Sequence, residues 1–213
     1  MWESFLDHCI PEEEERLLLQ VFMGLAISTV PNCYYEQYLW LYGLSGTGKS
    51  LVLKIISDLV GKDSVGYLTG DEINTQSTFT LDLTGKKLCS VDEFKLHNKA
   101  KEKGWIYTSN QIVSSDSHKV NLKYSQPFIA ENVYSTLIIS SNDNPPVSDT
   151  ESGVARRIRS IQFVHRPETL DYDLRKKLND ELNGIAQWAL EGLRHCNDPV
   201  SYTHLTLPTK RIV

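Results

Sequence analysis

The residues whose chemistry is most legible are Gly43-Leu44-Ser45-Gly46-Thr47-Gly48-Lys49-Ser50. They satisfy G-x-x-x-x-G-K-[ST] without a mismatch. In that pattern the backbone N–H groups of a glycine-rich turn converge on phosphate oxygens. A following helix adds the partial positive charge of its N-terminus. Lys49 can neutralise the terminal phosphates, and the Ser50 hydroxyl can join the oxygen shell of Mg²⁺.

Further candidates follow along the chain. Asp92-Glu93 closes the apolar run Lys87-Leu88-Cys89-Ser90-Val91. Asp92 is suited to the Mg²⁺ shell and Glu93 to polarising a water, the competing reading being a pair that caps the next segment. Asn142 follows the apolar run Ser135 to Ser140. Its amide could orient water or sense a γ-phosphate, although asparagine after a strand is also a common turn residue. Arg156-Arg157 precedes a further apolar run, Ile158 to Val164. Such a pair is either a surface pair or a source of charge for a neighbouring subunit's phosphate.

These residues need elements that hold them. Gln37 to Tyr42 reads as a buried strand and Leu51 to Ile56 continues as a helix, the strand–loop–helix setting the motif requires. The runs ending at Glu93, Ser140 and Val164 read as further strands, and Val120 to Tyr124 as part of a hairpin. Pro11 and the acidic block Glu12 to Glu15 open a helix with Leu17, Leu18, Val21, Phe22 and Leu25 at helical spacing. That helix is expected to pack on the core, with a partner-binding helix as the alternative. From about Leu170 to His195 a helical pattern runs through Leu174, Leu178, Leu182, Ile185, Trp188, Ala189 and Leu193.

Composition bounds the class. The 213 residues are 40% hydrophobic and 23% charged, as in an ordinary globular protein. No stretch approaches the roughly 18 apolar residues of a membrane span. The N-terminus lacks a signal-peptide pattern, and Cys9, Cys33, Cys89 and Cys196 form no metal or disulfide spacing. A cytoplasmic location is therefore expected. The net charge is −5, yet Lys95, Lys99, Lys101, Lys103, Lys119 and Lys123 cluster in one stretch. A phosphate-contacting loop and a solvated face both fit that cluster.

The order of WLYGLSGTGKS, KLCSVDEF, KVNLKYSQPF, STLIISSND and ARRIRSIQF resembles the superfamily 3 helicases. It looks most like the helicase part of phage and plasmid primase–helicases, which poxvirus primase–helicases share, and the resemblance covers roughly Pro11 to His195. It implies an α/β P-loop NTPase with an AAA+-like sheet flanked by helices. It implies ATP and Mg²⁺ as cofactors, Lys49, Ser50, Asp92 and Glu93 at the nucleotide, and Asn142 as polar sensor. Arg157, with Arg156 as alternate, would act on a neighbour's nucleotide. Lys119, or else Lys123, would touch single-stranded DNA from a pore hairpin. Family members form rings, usually hexamers, on single-stranded DNA, and some carry a primase. The hairpin approach reads Ser114-Ser115-Asp116 where relatives often have a Gly-Asp turn.

The expected organisation is an N-terminal helical segment at 1–36, an ATPase core at 37–166 and a C-terminal helical segment at 167–199. Residues 200–213 resemble the translation of a sequencing adaptor and are expected to be non-native. No primase segment precedes the ATPase, so either the chain is a fragment at both ends or the primase is separate. The expected function is an ATP-dependent DNA helicase motor for phage or plasmid replication, located in the host cytoplasm if phage-encoded. The alternatives are a P-loop small-molecule kinase and a nucleotide-binding remnant without helicase activity.

Overall fold

Tyr38–Gly43 forms β1, the strand that delivers the glycine-rich loop, and its alternating side chains divide the molecule in two. Leu39 and Leu41 enter one apolar cluster, Tyr38 and Trp40 the other. The computed structural model describes residues 1–28, 36–74, 83, 85–95, 102–114, 118–120, 128–130, 135–145, 156–167 and 169–196. For 102–103, 118–120, 128–130 and 196 it gives the backbone course alone.

Helices α1 (Trp2–Cys9) and α2 (Glu13–Ile27) precede β1, and α3 (Lys49–Val60) follows the loop. Then come β2 (Val65–Leu68), α4 (Gly70–Asn74), β3 (Leu88–Phe94) and α5 (Glu102–Val113). Strands β4 (His118–Val120) and β5 (Phe128–Ala130) form a separate antiparallel pair. The chain continues through β6 (Thr136–Ser141), β7 (Ile158–Phe163), α6 (Leu174–Asp180) and α7 (Leu182–Cys196).

The main sheet has five parallel strands in the order β2-β3-β6-β1-β7. Both faces are covered, as all-parallel sheets require. Helices α1, α2, α3, α6 and α7 bury Trp2, Leu19, Phe22, Val52, Ile56, Leu178 and Ile185 against Leu39, Leu41, Ile138 and Ile161. On the other face Trp105 of α5 meets Trp40 and Phe94 with ring centroids 5.5 and 5.8 Å apart. The helices before β1 and after β7 therefore share one core with the sheet. The single helical run expected from Leu170 to His195 is two helices, broken at Glu181.

α2 and α7 lie backbone against backbone. A Cβ on Gly192 would sit 2.7 Å from the Gln20 carbonyl carbon and 2.8 Å from the Val21 nitrogen. One on Gly24 would collide with the Ala189 carbonyl oxygen. Alanine normally stabilises a helix interior relative to glycine by about 1 kcal/mol. Here Gly192→Ala is expected to destabilise by roughly 1–3 kcal/mol through overpacking. A lowered urea midpoint checks this, and a midpoint at or above wild type contradicts it.

Candidate functional site

The loop sits where β1 ends. A side chain on Gly43 would run into the Phe163 carbonyl of neighbouring β7, so the strand can lie this close only with glycine. Gly48, the residue before α3, has φ +102°, a left-handed conformation that glycine adopts without strain. Thr47 Oγ1 donates to the Leu44 carbonyl at 2.8 Å and braces the loop from inside. The loop thus delivers the first turn of α3 to the end of the sheet.

Lys49 is only 6% exposed. Its ammonium donates to the carbonyls of Gly43 at 2.7 Å and Leu44 at 2.8 Å. Burial lowers its pKa, Asp92 opposes that shift, and the nearby Arg166 adds to it. Ser50 Oγ donates to Asp92 Oδ1 at 3.0 Å, joining α3 to the end of β3. The same carboxylate oxygen accepts the Glu93 backbone N–H at 3.0 Å.

Glu93 is set apart by its backbone. β3 spends three steps from Val91 to Phe94 while β6 spends two from Ile139 to Ser141, so β3 carries a bulge at Asp92-Glu93. Glu93 has φ +53°, an uncommon conformation for a residue with a side chain. The bulge turns Glu93 into a cavity of about 480 Å³ that it shares with the loop, Ser140, Ser141 and Asn142. Ser141 fastens this corner: its hydroxyl donates to the Phe94 carbonyl at 2.9 Å and accepts the Asp143 N–H at 3.0 Å. Trp40 Nε1 donates to the Asp143 carbonyl at 3.1 Å, anchoring the turn that carries Asn142.

The strand order explains the gathering. β6 lies between β1 and β3, so Asn142 emerges between the loop and the acidic pair. Arg157 does not join them. It precedes Ile158, which pairs with Tyr38 at the start of β1, whereas Gly43 pairs with Phe163 at the other end. The separation is about 17 Å along the strand. Arg157 is 19% exposed and ion-paired with Glu36 at 2.7 Å, while Arg156 is exposed. Lys119 lies in β4, and Lys123 and residues 200–213 lie outside the described residues.

Several residues at the cavity carry no motif. Phe5 and Cys9 of α1 press on the loop, and a Cβ on Gly48 would sit 2.9 Å from the Phe5 ring. Arg166 lies beside Gly46, its Nε 3.9 Å from where a Cβ there would be. Arg175 also lines the cavity and pairs with Asp58 at 3.0 Å. The short basic run His165-Arg166 after an apolar strand was the available signal for Arg166. Among the described residues no group of three or more His, Cys, Asp or Glu could hold a metal ion. One carboxylate beside one hydroxyl nevertheless fits Mg²⁺, which commonly keeps water and takes its remaining ligands from substrate phosphates.

Sheet, loop and bulge define a P-loop NTPase-like α/β protein with an AAA+-like sheet flanked by helices. The chain belongs to a family described as a family of unknown function, DUF5906, which matches residues 41–157. No curated protein matches the chain. Solved structures of the C-terminal region of NrS-1 do resemble it. An apo structure is 16% identical with a TM-score of 0.69, covering 88% of this chain and 44% of that one. An A-form apo structure is 16% identical with a TM-score of 0.64, covering 88% and 43%. Another A-form apo structure is 19% identical with a TM-score of 0.58, covering 85% and 45%. The chain thus spans less than half of those structures, and the likeness is one of fold. No helix among the described residues is long and apolar enough to cross a membrane.

The left-handed backbone at Glu93 stores strain of order 1–3 kcal/mol. Glu93→Gly is therefore expected to raise stability without ligand by about 1 kcal/mol, after glycine's larger unfolded-state entropy is subtracted. Urea denaturation reads the change, and a lower midpoint in the variant contradicts the strain.

Proposed function

We propose that this chain is the ATP-hydrolysing motor of a superfamily 3 DNA helicase serving phage or plasmid replication, working as a ring on single-stranded DNA. The observation that carries the reading is the convergence of the loop, Glu93 and Asn142 on one cavity, with Asp92 hydrogen-bonded to Ser50 of that loop and Arg157 at the opposite end of the strands.

In this reading Lys49 neutralises the terminal phosphates of ATP. Ser50 and Asp92 would hold Mg²⁺, which when bound offsets the charge on the β- and γ-phosphates. Asn142 orients a water. Glu93 accepts its proton as the water oxygen bonds to the γ-phosphorus and the bond to the β-phosphate oxygen breaks. Arg157, or Arg156, supplies charge to a neighbour's site, which its distance from its own loop supports. Lys119 contacts the DNA backbone, and a primase, elsewhere in the same polypeptide or separate, is the expected functional partner.

Arg166 and Arg175 beside the cavity are what a P-loop small-molecule kinase would need, and they keep that second reading alive. ATP hydrolysis measured with and without single-stranded DNA separates the readings. The motor is expected to be stimulated by DNA, a kinase to ignore it, and a remnant to bind ATP without turnover. In the motor, Lys119→Ala is expected to keep basal hydrolysis, lose the stimulation and reduce the salt slope of DNA binding by about one unit. Unchanged stimulation and slope would remove Lys119 from the DNA path.

A further inference from the structure

The cavity extends beyond the phosphate loop toward an apolar mouth. Phe5 and Cys9 of α1 form one wall; Pro167, Leu170, Tyr172 and Leu174 approach from the segment after β7. α1 is tied to that segment through Val164 N–H donating to the Cys9 carbonyl at 2.9 Å and a 3.2 Å contact between His8 Nε2 and the Arg166 carbonyl. These contacts hold α1 to the start of that segment, and the Trp2 N–H donating to the Glu181 carboxylate at 3.1 Å ties α1 to the residue after α6.

Tyr172 is 92% exposed and Leu170 is 68% exposed. Large side chains this open at the rim of a cavity leave apolar surface uncovered. The turn beneath Tyr172 is built. Asp171 accepts the Asp173 N–H at 3.1 Å on one carboxylate oxygen and the Lys177 ammonium at 2.7 Å on the other. The Leu174 N–H closes the turn on the Asp171 carbonyl at 3.1 Å. The pinned turn places the Tyr172 backbone at the rim and leaves its ring open to solvent.

We propose that Tyr172, with Leu170, is the platform on which the nucleobase of the bound nucleotide stacks, and that α1 forms the facing wall of the base subsite. This rests on the nucleotide reading of the phosphate loop. The occupant follows from continuity: a nucleoside triphosphate with its phosphates on Gly46–Ser50 extends its base along the same cavity. Its flat apolar faces suit an aromatic ring at the rim.

The test compares binding of Mg²⁺–ATP and of inorganic tripolyphosphate by calorimetry in wild type, Tyr172→Ala, Tyr172→Phe and Lys49→Ala. The exposure of Tyr172 predicts that its variants keep the wild-type Tm. Tyr172→Ala is expected to weaken ATP about tenfold and leave tripolyphosphate unchanged, because stacking acts on the base alone. Tyr172→Phe should keep wild-type affinity for both, and Lys49→Ala should weaken both. ATP affinity unchanged in Tyr172→Ala, or an equal loss for ATP and tripolyphosphate, overturns the platform while leaving the nucleotide site standing. Wild-type protein binding neither compound overturns the nucleotide reading itself.

Discussion

The hydrogen bond from Ser50 to Asp92, 3.0 Å long, joins the first turn of α3, which follows β1, to the end of β3, although β1 and β3 are not neighbours. β6 lies between β1 and β3, and adjacent strands are about 4.8 Å apart, so the contact spans roughly 10 Å of sheet edge. Only the first turn of α3, projected past the end of β1 by the glycine loop, can bridge that distance. The bridge passes over the end of β6, where the chain turns into Asn142. The remaining geometry of the candidate site depends on this span. Gly43 lets the loop leave β1 against β7, Gly48 turns it into α3, and the β3 bulge meets it from the far side.

The same corner concentrates the unfavourable terms of the fold. Lys49 is a buried cation with a second cation, Arg166, close by. Glu93 holds a left-handed backbone. Such features persist only where packing around them is firm. The Trp40, Phe94 and Trp105 cluster lies beneath the acidic strand, with Trp40 and Phe94 centroids 5.3 Å apart. Ser141 and Trp40 then secure the turns on either side. A rigid floor thus lies under the strained corner that carries Glu93.

Much of this was legible in the residues. Strands β1, β3, β6 and β7 lie within a residue or two of where their apolar runs begin and end, and helix α3 contains the run Leu51 to Ile56 and continues four residues beyond it to Val60. A buried parallel strand is a short continuous apolar run, which Leu39 to Leu41 and Leu137 to Ile139 supply plainly. Other elements left no such mark. β2, Val65-Gly66-Tyr67-Leu68, is four residues long and contains glycine. α5 mixes Gly104, Thr108 and Ser109 with its apolar residues, so its period is weak. α1 is two turns without a side-chain cap, yet it supplies Phe5 and Cys9 to the cavity. The bulge at Asp92-Glu93 arises from pairing with β6, a contact between distant segments that no local pattern encodes. The break at Glu181 likewise escaped the helical spacing, because Leu178, Leu182 and Ile185 keep an apolar face across it.

The proposed function requires the ends of β1 and β3 to form a single site for a metal–triphosphate. Electron paramagnetic resonance of Mn²⁺ in place of Mg²⁺ tests it directly. With ATP present, protein-bound Mn²⁺ coupled to phosphorus nuclei is expected. That signal should be weakened in Ser50→Ala and in Asp92→Asn, and there should be little bound Mn²⁺ without nucleotide. Mn²⁺ bound equally well without nucleotide, or a phosphorus-coupled signal untouched by both substitutions, would contradict it.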